Sequence, residues 1–475
     1  MLGKQVIDGL KWTAGIKLSG QVLSWAITIV VVRLLTPGDY GLLAYATVFL
    51  GFLTLISELG LSDAVVQGRA VDIPQLRSVF GAVVLMNVAL TCFVAVALAP
   101  VAATFFSEPR LIPVMQVLSF GFLINCFTVI PTATLERNLV FRGRSFIDLG
   151  SGLIGNILTL GLAYNGAGVW SLIWGNLATA LLRALGLNFI SPFKHWPDFR
   201  IARAYRMISF GAMVALNRVL WFVYSQADVF VAGKVLGKAP LGFYSVAMHL
   251  ASIPAQRVSS VINQVAFPAF ARARHDVGSV GRNLLLSVRS ISFFAFPVSW
   301  GLASVAPEVV RVLLGPTWLE ATTPLILLSL IMPLRILSPV THGALQAVGK
   351  PGISVRNNLF ACIVMPIAFL VGCQYGLLGL SLAWVLAFPL VVLTNLFRSL
   401  HWLETKLRSY LFAMLRPAAI GAAMFGVVTL GRSLIALPQL PELIALILLG
   451  AGTYVVLSLL FNRAGCREML WLLRK

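Results

Sequence analysis

The chain has 475 residues, of which 59% are hydrophobic and only 11% charged, with a formal net charge of +20. A soluble domain is about a quarter charged. A mean hydropathy of +0.91 cannot be hidden in one soluble core, because a folded surface needs polar cover. The composition therefore excludes an ordinary soluble domain and points to a protein that meets lipid along most of its length.

Apolar runs long enough to cross the hydrocarbon core as helices, about twenty residues each, recur along the whole chain. They predict spans at 12–32, 41–60, 79–99, 112–134, 146–164, 168–188, 207–231, 242–266, 284–306, 322–345, 354–373, 377–397, 411–431 and 443–462. Backbone groups in lipid must be satisfied within the structure, which leaves helices or a closed barrel. Runs of this length without period-two alternation exclude the barrel. The expected fold is an all-α integral membrane protein with about 14 transmembrane helices and short connections. The N-terminus lacks a short apolar core followed by a small-residue cleavage site, so the first helix is expected to be retained. The five cysteines, Cys92, Cys126, Cys362, Cys373 and Cys466, lie singly and mostly inside apolar runs. They show neither metal spacing nor a disulfide framework and read as small apolar filler.

The basic residues set the orientation. One set of alternate loops, with both termini, holds Lys4, Arg77, Arg137, Arg142, Lys194, Arg274, Lys350, Lys406, Arg467 and others. The other set holds only Arg33, Arg110, Lys234, Lys238, Arg311 and Arg432, a bias of roughly four to one. Lys and Arg concentrate in cytoplasmic loops, so both termini are expected in the cytoplasm. The excess of positive charge then needs no nucleic-acid partner.

The chain also repeats itself. RLLTPGDYGLLAYA (Arg33 to Ala46) joins the first helix to the second, and KVLGKAPLGFYSVA (Lys234 to Ala247) joins the seventh to the eighth. Gly166, Ser171, Leu172 and Trp174 are echoed by Gly376, Ser381, Leu382 and Trp384. Residues 1–188 and 207–397 are therefore expected to form two pseudo-symmetric six-helix lobes in the same orientation, with a transport site between them. Residues 189–206 form a cytoplasmic amphipathic linker, expected as a helix in the membrane interface. Residues 398–475 carry two further helices and a cytoplasmic tail.

Several stretches resemble one superfamily, the multidrug/oligosaccharidyl-lipid/polysaccharide exporters, and within it the bacterial polysaccharide-transporter branch of lipid-linked oligosaccharide flippases. They are RLLTPGDYGLL (Arg33 to Leu43), GLSDAVVQ (Gly60 to Gln67), LERNLVFR (Leu135 to Arg142), ADVFVAGKVLGKAPLGFYSVA (Ala227 to Ala247), FPAFAR (Phe267 to Arg272), LLGPTWLEATTPLILLS (Leu313 to Ser329) and LQAVGKP (Leu345 to Pro351). The resemblance runs from the first helix through the twelfth. It implies a transporter in the bacterial inner membrane with a central cavity that alternates between the two faces. The implied cargo is an undecaprenyl-pyrophosphate-linked oligosaccharide for exopolysaccharide, O-antigen or capsule assembly. The implied partners are membrane lipids, contacted by helices 13 and 14, and the polysaccharide polymerase machinery.

Charged side chains inside spans are costly and mark function by default. Arg183 and Arg289 lie nearest the cytoplasmic ends, where they can snorkel, whereas Arg218, Arg257 and Arg335 lie deeper. Arg218, Trp221, Ser225 and Asp228 share one face of the seventh helix, and Lys17, Gln21, Ser24 and Thr28 share one face of the first. The eighth adds His249, Ser252, Gln256, Ser259 and Asn263, with Arg257 beside them. Interhelical hydrogen bonding explains single serines in such stripes, but not stripes that carry deep cations. An anionic pyrophosphate cannot enter a low-dielectric cavity unpaired, and Arg offers a fork of donors matched to phosphate oxygens. Candidate binding residues are thus Arg218, Arg257, Arg335, Lys17 and Arg289 for the pyrophosphate, with Gln21, Trp25, Trp221, Gln256, Asn263 and Asn87 for the sugars.

Acids are scarce. Asp228 and Glu58 are candidates either to pair with a cation or to couple transport to H+ or Na+, with no other cofactor expected. No G-x-x-x-x-G-K-[ST] loop for ATP occurs, and no His/Cys/Asp cluster has metal spacing. Two alternatives stand beside the flippase. A cation-coupled multidrug exporter would need intramembrane carboxylates, and the first helix has none. A membrane-embedded polysaccharide polymerase or ligase would need an extracytoplasmic reaction site that the short loops do not provide.

Overall fold

A computed structural model describes residues 20–57, 72–137, 141–200, 219, 222–253, 277–435, 437–463 and 465–468. Among them every regular element is helical. In chain order these are α1 (Gly20–Leu34), α2 (Pro37–Ser57), α3 (Ile73–Phe106), α4 (Leu111–Arg137), α5 (Phe141–Tyr164), α6 (Val169–Ile190) and α7 (Ala227–Leu236). There follow α8 (238–253), α9 (Val277–Ser304), α10 (Thr322–Ala347), α11 (Pro351–Cys373), α12 (Gly376–Leu400), α13 (Leu407–Leu434) and α14 (Gln439–Phe461). Eleven helices among the described residues are long and apolar enough to cross a membrane. Each overlaps one predicted span. The predicted spans at 12–32, 207–231 and 242–266 lie partly outside the described residues, and their described parts overlap α1, α7 and α8.

The helix ends follow from local sequence. Pro37 begins α2, where its missing N–H costs nothing. The Asp39 carboxylate, in the first turn, accepts hydrogen bonds from the Thr36 N–H at 3.0 Å and hydroxyl at 2.7 Å. Asp72 and Gln75 form a capping box at the start of α3. That helix passes through a π turn at Val94–Leu98, just ahead of Pro100, a proline that cannot donate to the ladder. Prolines lie inside α4, α9, α10, α11, α12 and α13. Membrane helices tolerate them because neighbouring groups re-satisfy the freed carbonyls. The Trp300 indole N–H, on α9, donates at 2.9 Å to the carbonyl of Leu330 and so ties α9 to α10.

The chain divides into two compact units, residues 1–242 and 243–475. In the first, α5 and α6 form a hairpin and α4 packs on α6 and α3. Val79 and Val83 of α3 meet Cys126 and Val129 of α4, with Cys126 as buried filler. Ile27 and Val31 of α1 meet Ala163 of α5. In the second unit α9, α10, α12 and α13 share one core, with Leu284, Val288, Leu337, Val340, Leu396 and Tyr410 at its centre. Large apolar residues such as Leu386, Leu390 and Leu448 stand outward, as surfaces that face lipid require. The internal repeat has local counterparts. Gly166 and Gly376 both take left-handed backbone, at φ 77° and 67°, the first ahead of α6 and the second as the opening residue of α12. Ser171 and Ser381, five residues further on in each case, are both fully buried.

The linker departs from its expected form. Residues 191–200 are not helical, because Pro192 and Pro197 remove donors and push the residues before them towards extended backbone. The segment is tied to α3 instead. The Asp198 N–H donates to the Arg77 carbonyl at 2.9 Å, and the Arg77 Nε–H donates to the Trp196 carbonyl at 3.0 Å. Residues 201–206 lie outside the described residues.

Candidate functional site

The second unit holds a cation half-way along a membrane-length helix. Arg335 sits mid-way along α10, between Pro333 and Pro339. Its guanidinium carbon lies 4.2 Å from the centroid of the Trp384 ring on α12, and its Nη1 stands 3.0 Å from the Met248 sulfur on α8. Among the described residues no carboxylate pairs with it. Trp384 is fully buried and held by its indole N–H, which donates at 2.7 Å to the hydroxyl of Tyr244, itself fully buried. Phe369 and Phe388 close around the same indole at 5.2 and 5.4 Å between centroids. A cation over a desolvated indole gains about 2 kcal/mol, and stacking fixes the guanidinium plane while leaving its edges available to planar anions. Ser338, His342 and Gln346 follow Arg335 on one helical face at i+3, i+7 and i+11. None of the four is buried, while Ile336, Leu337, Val340, Thr341 and Ala344 on the other side are. The His342 Nδ1 lies 2.9 Å from the Ser338 carbonyl. The i+3, i+7 and i+11 spacing that starts at Arg335 is the sequence signal of this stripe.

Two other described cations inside spans, Arg289 and Arg183, have carboxylate partners. Arg289 on α9 pairs with Glu468 at 2.7 Å. Arg183 on α6 pairs with Asp148 of α5 at 2.8 Å, and Arg144 contacts both Asp148, at 3.7 Å, and Glu136. Arg289 and Arg335 share no partner. Arg218, Arg257, Lys17, Trp221, Gln256, Asn263 and Glu58 lie outside the described residues.

On α1, Gln21 and Trp25 are half-buried one turn apart. Ser24 is tied into the helix packing, where its hydroxyl accepts from the Asn156 amide of α5 at 2.6 Å. Asn87 is fully buried and donates to the Val83 carbonyl at 2.8 Å, which makes it a structural residue of α3. Asp228 is buried in the first turn of α7. A helix N-terminus favours a carboxylate there, and the Val229 N–H donates to its Oδ1 at 2.8 Å.

Each unit has its own cavity. In the first, a space of about 300 Å³ between α2, α4 and α6 is lined by Thr54, Asn125, Thr128 and Arg183 together with apolar residues. In the second, a space of about 770 Å³ between α9, α13 and α14 is lined almost wholly by apolar side chains, including Phe294, Val298, Val428, Leu446 and Val455. Among the described residues no group of His, Cys, Asp and Glu could hold a metal ion.

Comparisons place this geometry. The succinoglycan biosynthesis transport protein ExoT of Rhizobium meliloti is 27% identical over 98% of this chain and 95% of its own. The lipopolysaccharide biosynthesis protein WzxC of Escherichia coli is 24% identical over 81% of this chain and 79% of its own. Among solved structures, the lipid II flippase MurJ in an inward closed conformation superposes with a TM-score of 0.74 at 17% identity, covering 95% of this chain and 99% of that one. An inward-facing multidrug resistance MATE family transporter gives 0.60 at 16% identity, over 84% and 95%. At those identities the likeness is one of fold. Residues 30–323 match the family described as polysaccharide biosynthesis protein, and the chain, a multi-pass helical membrane protein with a transporter fold, belongs to that family.

Proposed function

We propose that this chain is a flippase, a transporter and not an enzyme, which moves an undecaprenyl-pyrophosphate-linked oligosaccharide across the bacterial inner membrane by alternating access. The product serves exopolysaccharide, O-antigen or capsule assembly. The observation that carries the reading is Arg335, a mid-helix cation held by Trp384 and left without a carboxylate among the described residues. Such a group is kept charged for an anion that arrives from outside the fold. The pyrophosphate supplies that anion, and the guanidinium fork suits its oxygens. Ser338, His342 and Gln346 extend the same face with hydrogen-bonding groups for the sugars. The 770 Å³ apolar cavity at α9, α13 and α14 suits a polyprenyl tail by the same logic of like with like. Arg218, Arg257 and Lys17 join Arg335 in binding, the two six-helix lobes enclose the cargo path, and the polymerase machinery receives the product. Both termini lie in the cytoplasm. A reporter fused after Lys475 and active only in the periplasm would contradict that orientation.

Transport is tested by complementation of a flippase-null strain. The expected result is restored polysaccharide and loss of the accumulated lipid-linked precursor. Export of a cationic drug with no effect on the precursor would favour the multidrug-exporter reading instead.

A further inference from the structure

The cavity of the first unit, about 300 Å³ between α2, α4 and α6, lies at the small end of the range that ligand pockets occupy, roughly 300–1,000 Å³. Arg183 reaches it with its charge already offset. The Arg183 Nε–H donates to the Asp148 Oδ1 at 2.8 Å. Asp148 also stands 3.7 Å from the Arg144 Nε, and Arg144 pairs with Glu136. Two cations and two carboxylates in one chain of contacts sum to zero. An anionic ligand would meet no surplus positive charge here, and a cationic one would meet no carboxylate in the lining. Burying either charge without compensation is costly, so the cavity suits a neutral guest.

The lining also shows what kind of neutral guest. The Thr128 hydroxyl donates to the Asn125 Oδ1 at 2.7 Å and to its backbone carbonyl at 2.9 Å. That contact fixes the amide and leaves its nitrogen, which carries two donors, without a hydrogen-bond partner among the described residues. The Arg183 Nη atoms likewise have none there. The Thr54 hydroxyl gives its proton to the Leu50 carbonyl at 2.8 Å, so its oxygen is left to accept. Leu118, Phe122 and Ile124 supply the apolar wall. An alkyl chain would desolvate these donors and leave them unpaired. A pyranose satisfies both kinds of surface, because its hydroxyls donate and accept while its ring carbons present an apolar face. We propose that this cavity is a subsite for one neutral pyranose residue of the cargo oligosaccharide. Asn125, Thr54 and the Arg183 Nη atoms bond its hydroxyls, Leu118, Phe122 and Ile124 take its carbon face, and Asp148 positions Arg183. The proposal rests on the flippase reading above.

The test uses the full-length protein in lipid nanodiscs and two probes, undecaprenyl pyrophosphate and the glycosylated precursor purified from a flippase-null strain. The parent should bind the glycosylated probe more tightly. Leu118→Trp fills the cavity and should weaken that probe by about tenfold, and Asn125→Leu should weaken it by about fivefold. Neither should change the affinity for undecaprenyl pyrophosphate, whereas Arg335→Ala should weaken both probes. A second measurement needs no lipid. Free oligosaccharide, released from the precursor by mild acid, should protect Leu118→Cys from a maleimide in a protein whose native cysteines are replaced. Unchanged affinity for the glycosylated probe in both cavity variants, equal losses for the two probes, or absence of protection would overturn the subsite. A parent that binds neither lipid probe would count against the flippase reading, and the protection result would then decide the subsite by itself.

Discussion

Arg289 and Arg335 are both arginines within membrane helices of the same unit, and their surroundings differ in kind. Arg289 is met by Glu468 at 2.7 Å, with both side chains partly exposed. Its charge is offset by a carboxylate within the fold. Arg335 is met by the face of a buried tryptophan and by a thioether. An aromatic face steadies a cation without neutralising it, so the net charge survives. Arg183, paired with Asp148, belongs with Arg289. The comparison teaches that depth in the span does not by itself decide whether a cation is neutralised within the fold; the identity of its partner does.

That contrast can be broken by substitution. Arg335→Ala should have the largest effect. Loss of one partner of a desolvated charge-assisted contact costs about 2–5 kcal/mol, so transport should fall by about thirtyfold or more while the protein stays inserted. Arg335→Lys should recover part of the loss, because the charge returns without the fork. Trp384→Phe keeps an aromatic face but removes the N–H donated to Tyr244. The lost bond is worth about 1 kcal/mol, so transport and thermal stability in detergent should both fall, by less than for Arg335→Ala. Arg289→Ala and Glu468→Gln remove a part-exposed pair whose contribution is about 0–1 kcal/mol. Each should leave transport within about twofold of normal, with at most a small shift in melting temperature. A transport loss for Arg289→Ala equal to that of Arg335→Ala would erase the distinction.

Much of the fold was legible in the sequence because the membrane imposes a simple rule on length and hydropathy. Each of the eleven long helices overlaps a predicted run. The repeat was legible as well, and it reappears in Gly166 and Gly376, which both take left-handed backbone. The linker departs from the expected helix because Pro192 and Pro197 outweigh the amphipathic spacing of its aromatic and basic residues. The roles of the cations were not legible, since Glu468 lies 179 residues from Arg289 and Asp148 lies 35 from Arg183. No local pattern announces such pairs. The His342 face could have been found by carrying the i+3, i+7 count forward from Arg335.

The most direct test sets Arg335→Ala and Arg289→Ala side by side. Each variant is expressed at matched level in a flippase-null strain, and the lipid-linked precursor is measured against exported polysaccharide. The account predicts that precursor accumulates and export collapses for Arg335→Ala, while Arg289→Ala behaves as the parent. Near-normal export by Arg335→Ala would contradict it.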